Sequence, residues 1–213
     1  MKKIIFLTFT ILLFLSVNAQ KDKKATEILD KVIENTESYK TFKVDFVYKM
    51  YNEKSNIDES KEGILFVCKE KYRLLISNQM VISDGETIWT YLISDKEVMI
   101  GSAEENEEAI TPSNLLNSYQ EDYKSKFVKE TTIRGKKVEI IELKPLKGKT
   151  YSLIKVTIDK MKKQLVDFTI YDKNGSEYSY QINEFITNIS LSDTTFTFSE
   201  KDYPDVDFID MRF

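Results

Sequence analysis

From residue 42 onward the chain is a run of short β-forming segments cut apart by tight turns, and this punctuation limits the fold more than any other feature. Residues 81–91, VISDGETIWTY, show it most plainly. Val81 and Ile82 are β-branched, Asp84-Gly85 is a hairpin-turn dipeptide, and Ile88-Trp89-Thr90-Tyr91 is again β-rich. Residues 42–51 alternate strictly, with Phe42, Val44, Phe46, Tyr48 and Met50 on one face and Lys43, Asp45 and Lys49 on the other, the pattern of a half-buried strand. Further strands are expected at 62–68, 72–77, 80–83, 87–94 and 97–100. A second group follows at 127–134, 137–143, 152–159, 164–171, 177–185 and 195–198. Turns as short as Asp84-Gly85, Arg134-Gly135 and Asn174-Gly175 demand antiparallel order, because a parallel pair needs a crossover of about a dozen residues. About eleven strands are too many for a flat sheet. The expected fold is therefore mainly β with some α: a strongly curved antiparallel sheet, an incomplete β-barrel.

Two helices are expected to cover the concave, apolar side. Residues 24–40 carry Ile28, Leu29, Val32 and Ile33 as one apolar stripe, with Thr26 and Glu27 near the start and Lys40 near the end. The interval 101–126 interrupts the strands. Its acidic run Glu104, Glu105, Glu107 and Glu108 precedes Thr111-Pro112, a cap followed by a first helical position, and Leu115, Leu116 and Tyr119 give that helix an apolar face. The tail 203–213 alternates Val206, Phe208, Met211 and Phe213 with Asp205, Asp207 and Asp210, which suits a last strand or an extended flap. Those aspartates lack the spacing and terminal Glu of a calcium loop, so no metal is expected.

The first nineteen residues stand apart. Lys2 and Lys3, then the apolar run 4–15, then Val17-Asn18-Ala19, have the layout of a secretory signal peptide. The apolar run is short of the roughly 20 residues that a membrane-spanning helix needs. Residues 20–213 are then one exported, soluble domain, and removing two lysines takes the net charge from −4 to −6. A mildly acidic chain argues against nucleic acid as a partner and against constitutive adhesion to anionic lipid. Cys68, the only cysteine, lies in an apolar run and reads as a small buried hydrophobe. There is no histidine, which excludes Ser-His-Asp and Cys-His nucleophilic sites and the common zinc constellations. Asp84 and Asp172, the carboxylates that a hydrolase would draw on, both lie in turn sequences where Asp bonds locally. No enzyme activity and no cofactor are expected.

Four segments in register resemble the LolA family of periplasmic lipoprotein carriers. They are VISDGETIWTY at 81–91, Thr111-Pro112-Ser113-Asn114-Leu115-Leu116, the stretch from Ile158-Asp159 to Tyr171-Asp172-Lys173-Asn174-Gly175, and Phe196-Thr197-Phe198 with Pro204-Asp205-Val206-Asp207. The resemblance spans roughly residues 24–210. It implies an incomplete barrel covered by helices, and a monomer that takes acylated lipoproteins from an inner-membrane transporter to an outer-membrane acceptor. It also implies a basic residue after a G-x-L-x-V run that bonds to the lid. Here the run is Gly63-Ile64-Leu65-Phe66-Val67-Cys68-Lys69-Glu70, with Lys69 where the family has arginine, and Arg73 is the second candidate for this latch.

A carrier of this kind needs a dry cavity, since each CH₂ moved out of water contributes about 0.8 kcal/mol. The expected lining is Val44, Phe46, Tyr48, Met50, Phe66 and Leu74 from the sheet, with Ile28, Leu29 and Val32 of the helix opposite. Trp89, Asp84 and Gly85 are expected to be structural. The other readings are a lipid or glycolipid shuttle, and an envelope-stress module that senses lipoproteins, on the same scaffold.

Overall fold

The computed structural model describes residues 22–103 and 119–212. The signal peptide expected at residues 1–19 and residues 111–118 of the second expected helix lie outside them, while Tyr119 of that helix is described, helical and buried. Helix α1 spans Lys23–Glu37. It is followed by β1 (Phe42–Asn52), β2 (Ile57–Cys68), β3 (Lys71–Ile76), β4 (Gln79–Ser83), β5 (Thr87–Leu92) and β6 (Glu97–Ser102). After the helical residues 119–122 come β7 (Tyr123–Ile133), β8 (Lys136–Pro145), β9 (Tyr151–Asp159), β10 (Gln164–Asp172), β11 (Glu177–Thr187) and β12 (Asp207–Asp210). All twelve strands form one open, curved sheet in the order β12-β6-β5-β4-β3-β2-β1-β11-β10-β9-β8-β7. It is not closed into a barrel. The antiparallel expectation holds for every pair except β12 with β6, which run parallel.

Turn chemistry sets the hairpins. Arg134 and Gly135 both have positive φ, 49° and 75°, the two-residue geometry whose twist matches that of the strands it joins. At the β4–β5 turn the Asp84 carboxylate accepts from the Glu86 and Thr87 N–H groups at 3.0 and 2.8 Å, and Gly85 takes φ 99°. Asp172 accepts in the same way from Asn174 N–H at 2.9 Å. Both aspartates thus hold turns.

Helix α1 starts earlier than its stripe suggests, at a cap from Asp22. One Asp22 oxygen accepts from Ala25 N–H at 3.1 Å, and the other accepts from Phe127 N–H of β7 at 2.8 Å. One residue therefore caps the helix and ties it to the sheet. Burial opposes the charged Asp22 carboxylate, but the N–H groups of Phe127, Ala25 and Lys24 outweigh it and lower its pKa. Lys40 falls outside the helix, which ends at Glu37 with Ser38 as its C-cap. Ala25, Ile28, Leu29 and Val32 are buried, and the three larger ones contribute about 2 kcal/mol each. Near the far end, the Asn35 amide donates to the Lys162 and Lys163 carbonyls at 2.9 and 3.2 Å.

One expected strand is a correction. Residues 195–198 do not pair; a 3-10 turn at Asp193–Phe196 replaces the strand, capped by the Ser192 hydroxyl, which accepts from Thr194 N–H at 3.3 Å. The reason lies in the topology. β11 is mid-sheet and β12 is at the far edge, so residues 188–206 must cross over β1 to β6 to reach a parallel partner. On the way Phe198 buries against Met80, Ile82, Tyr91, Val98 and Ile100.

Candidate functional site

Register sorts the side chains of the sheet onto two faces. Ile141, Leu143, Ile154, Val156, Ile158, Leu165, Phe168 and Ile170 of β8 to β10 bury against Ala25, Ile28, Leu29 and Val32, which defines the helix face. Tyr178, Tyr180 and Ile182 of β11 extend that cluster. Tyr180 then joins it to β1: its ring stacks on Phe168 at 4.5 Å and meets Tyr48 at 5.2 Å and Phe46 at 6.0 Å. Phe46, Tyr48 and Met50 lie opposite Ile182, Tyr180 and Tyr178, so the even-numbered residues of β1 share the helix face. The same parity puts Val44 there, and both Val44 and Phe46 are buried, while Tyr48 and Met50 are half-buried. Ile28, Leu29 and Val32 sit over β8 to β10 rather than directly over β1.

From Val44 the helix face continues along a single line. Val44 pairs with Leu65, Leu65 with Leu74, Leu74 with Val81, Val81 with Thr90 and Thr90 with Met99. At about 4.8 Å per strand this row is roughly 24 Å long. Leu65, Leu74, Val81, Thr90 and Met99 are all half-buried, and none of them belongs to the buried cluster under α1. On the other face, their strand neighbours Met80, Ile82, Tyr91, Val98 and Ile100 are buried beneath the crossover. The sheet is thus dry on one face of β4 to β6 and half-open on the other.

Strand alternation moves two expected site residues away. Phe66 pairs with Lys43 and Arg73, so it lies on the face opposite Val44 and α1. Arg73 lies there too, where its guanidinium donates to the Thr195 carbonyl at 3.5 Å and to the Met80 sulfur at 3.0 Å. Its contacts are therefore with the crossover and not with the helix side. Lys69 is exposed in the β2–β3 turn at φ 56°, beside a cleft of about 470 Å³ that Cys68, Asp84 and Ser192 also line. Trp89 is half-buried against the crossover cluster, pairing with Ile82 and Ile100.

The residues that sequence reading missed are Leu65, Val81 and Met99 of the row, Tyr178 and Tyr180, and Gly63. Gly63 lies directly opposite Phe46, and a Cβ built on it would stand 2.3 Å from the Phe46 ring. The glycine of the G-x-L-x-V run is therefore the seat of the Phe46 ring. Burial, then the Tyr48 and Tyr178 hydroxyls, push the Tyr180 phenol up to about 12. Tyr48 is raised as well, by burial first and then by Tyr178 and Glu59. Among the described residues no group of three or more Cys, Asp or Glu side chains is placed to hold a metal ion. No described helix is long and apolar enough to cross a membrane.

An open curved sheet, covered by a helix on part of one face and by a chain crossover on part of the other, defines the structural class. The chain belongs to the outer membrane lipoprotein carrier protein LolA family, whose family model matches residues 37–199. It is 25% identical over 190 residues to an outer-membrane lipoprotein carrier protein of Coxiella burnetii, covering 85% of each chain. Among solved structures, an uncharacterized conserved protein from Thermus thermophilus superposes with TM-score 0.62 at 10% identity, covering 88% of this chain and 99% of that one. The Mycobacterium tuberculosis lipoprotein LppX superposes with TM-score 0.54 at 13% identity, covering 80% and 100%. These two structures share the fold.

Proposed function

We propose that this protein is a periplasmic carrier that holds the acyl chains of lipoproteins along the helix face of its sheet, between the Phe46–Tyr180 aromatic group and Met99. The half-open row Val44–Leu65–Leu74–Val81–Thr90–Met99 carries the reading. Apart from Thr90 it is an apolar track beside a dry core, and acyl chains laid on it would complete its burial. Family membership and the name of the Coxiella relative support lipoproteins as the cargo. Transfer from an inner-membrane releasing transporter to an outer-membrane acceptor is the finer part of the proposal. The protein needs no catalytic group or cofactor for this work, and acts as a monomer. With Arg73 turned to the crossover, Lys69 is the remaining candidate for a basic latch.

The test has two parts. Mass spectrometry of the protein isolated from its native periplasm should find acylated lipoprotein bound to it. A fluorescent fatty-acyl probe should bind the purified protein, and Phe46→Glu and Leu74→Glu should each abolish that binding, because an ionised carboxylate covered by acyl chains is costly. Undiminished probe binding by both variants would refute the assignment of this face. Copurification of free lipid alone would leave the face in place and replace the cargo.

A further inference from the structure

The mean charge of the chain conceals a strong segregation. Residues 123–173 hold fourteen Lys and Arg against six Asp and Glu, a net of +8, while the rest of the chain holds 17 against 29, a net of −12. The sheet gathers part of this excess on one surface. Lys124 of β7 lies directly opposite Lys144 of β8, and Lys126 lies in line with Glu142 and Lys155. These residues alternate with Ser125, Leu143, Ile154 and Val156, so they occupy the face away from α1. The loop after β8 adds Lys147 and Lys149, and Lys173 donates to the Lys149 carbonyl at 2.6 Å. Among the described residues none of these seven lysines makes an ion pair, whereas Lys160 and Lys163 at the other end of β9 are paired with Glu130 and Glu139.

Two features of this surface need a partner to explain them. Like charges directly opposite each other across a strand pair are destabilising. Lysines on β7 alone could serve to blunt an exposed sheet edge, but Lys144 and Lys155 are on the interior strands β8 and β9, where no edge needs guarding. The second feature is Leu146, which is 59% exposed with Lys144 and Lys147 close on either side of it.

We propose that the outer face of β7 to β9, with the loop at 146–150, docks on an anionic lipid bilayer. The composition chooses the bilayer over an acidic protein. Residues 123–173 contain thirteen lysines and one arginine. Specific protein interfaces are depleted in lysine and enriched in arginine, whose fork suits individual carboxylates. Hydrated point charges spread over a surface suit a diffuse layer of headgroups, and a protruding leucine adds a shallow apolar insertion. This surface is on the face opposite the acyl track, so the carrier can dock without covering its cargo face. The docking proposal does not depend on the identity of the cargo.

The test is co-sedimentation of the chain from Gln20 onward, which contains every described residue, with vesicles of phosphatidylcholine. The comparison is the same vesicles with about one third phosphatidylglycerol. Binding is expected only to the anionic vesicles, and it should disappear as salt rises from about 0.05 M to about 0.5 M and screening shortens. Each lysine neutralised should lower partitioning about fivefold, so Lys→Gln at 124, 126, 144 and 147 together should lower it by several hundredfold. Leu146→Ser should lower it about tenfold while leaving the salt dependence intact. The same four-site variant should bind the acyl probe like the parent, which separates failure of docking from failure of the carrier reading. The proposal is overturned if the parent ignores anionic vesicles, or if four Lys→Gln changes on the acidic half weaken binding as much. It is overturned too if the basic face captures an acidic protein but no vesicle.

Discussion

Gly63→Ala puts the packing argument to its sharpest test. The added methyl carbon would lie 2.3 Å from Cζ of Phe46 and 2.8 Å from both Cε atoms, so the ring has to leave its seat. The substitution brings no backbone penalty of its own, because Gly63 is not among the residues with positive φ, and alanine in a strand recovers about 0.5–1 kcal/mol of chain entropy. Against this stands the overpacking of a ring that is 7% exposed and in contact with Tyr180, a cost of about 1–3 kcal/mol. The net expectation is a loss of about 1–2 kcal/mol, or roughly 3–6 °C in Tm for a chain of this size. Urea unfolding measures the loss, and a cycle with Phe46→Leu assigns its cause. If the ring is what the methyl displaces, the double variant should be less destabilised than the sum of the singles by about 1 kcal/mol. The displaced ring should also lie over the start of the apolar row and weaken acyl-probe binding. Additive effects, or a Gly63→Ala protein as stable as the parent, would refute the reasoning.

Other consequences can be measured in the same way. Asp22→Ala removes a helix cap and the tie to Phe127 N–H together, so it should cost about 2 kcal/mol in urea unfolding, more than an ordinary cap. Its contribution belongs to the ionised form and its pKa is lowered, so in the parent it should be present above pH about 4 and fade as the medium is acidified further. Trp89→Ala should cost about 3 kcal/mol, the low end for core aromatics, because the indole is only half-buried against the crossover. Tyr180 titrates near 12, above its unfolded value of about 10, so its contribution is whole below pH 10 and is lost between pH 10 and 12. Thermal scans should show stability falling across that window, and Tyr180→Phe should make the fall shallower. With no histidine to titrate, stability should be nearly flat from about pH 6 to 9.

What the sequence determined by itself is what neighbours in the chain decide. The alternation of Phe42 to Met50, the turns at Gly85, Gly135 and Gly175, and the stripe Ile28–Leu29–Val32 all depend on residues a few positions apart. They were legible for that reason. The antiparallel order followed from turn length, and the LolA-like segments were recognisable as local wording. Facing is a different matter, because a strand's inward side is set by a partner that can be far away in the chain. Phe66 has the composition of a cavity residue, yet its pairing with Lys43 and Arg73 turns it outward, and Arg73 goes with it to the crossover. The row from Val44 to Met99 exists only because six strands are in register. Asp22 lies before the stripe that marked the helix, and its role as cap and tie appears only once Phe127, 105 residues on, is folded against it. Residues 195–198 have β-forming composition, but the parallel placement of β12 pulls them into a crossover. The charge count was available from the start, and its sum pointed away from membranes. Only the sheet places Lys124 directly opposite Lys144, and Lys126 in one line with Glu142 and Lys155, because strand pairing converts distant positions in the chain into neighbours about 5 Å apart.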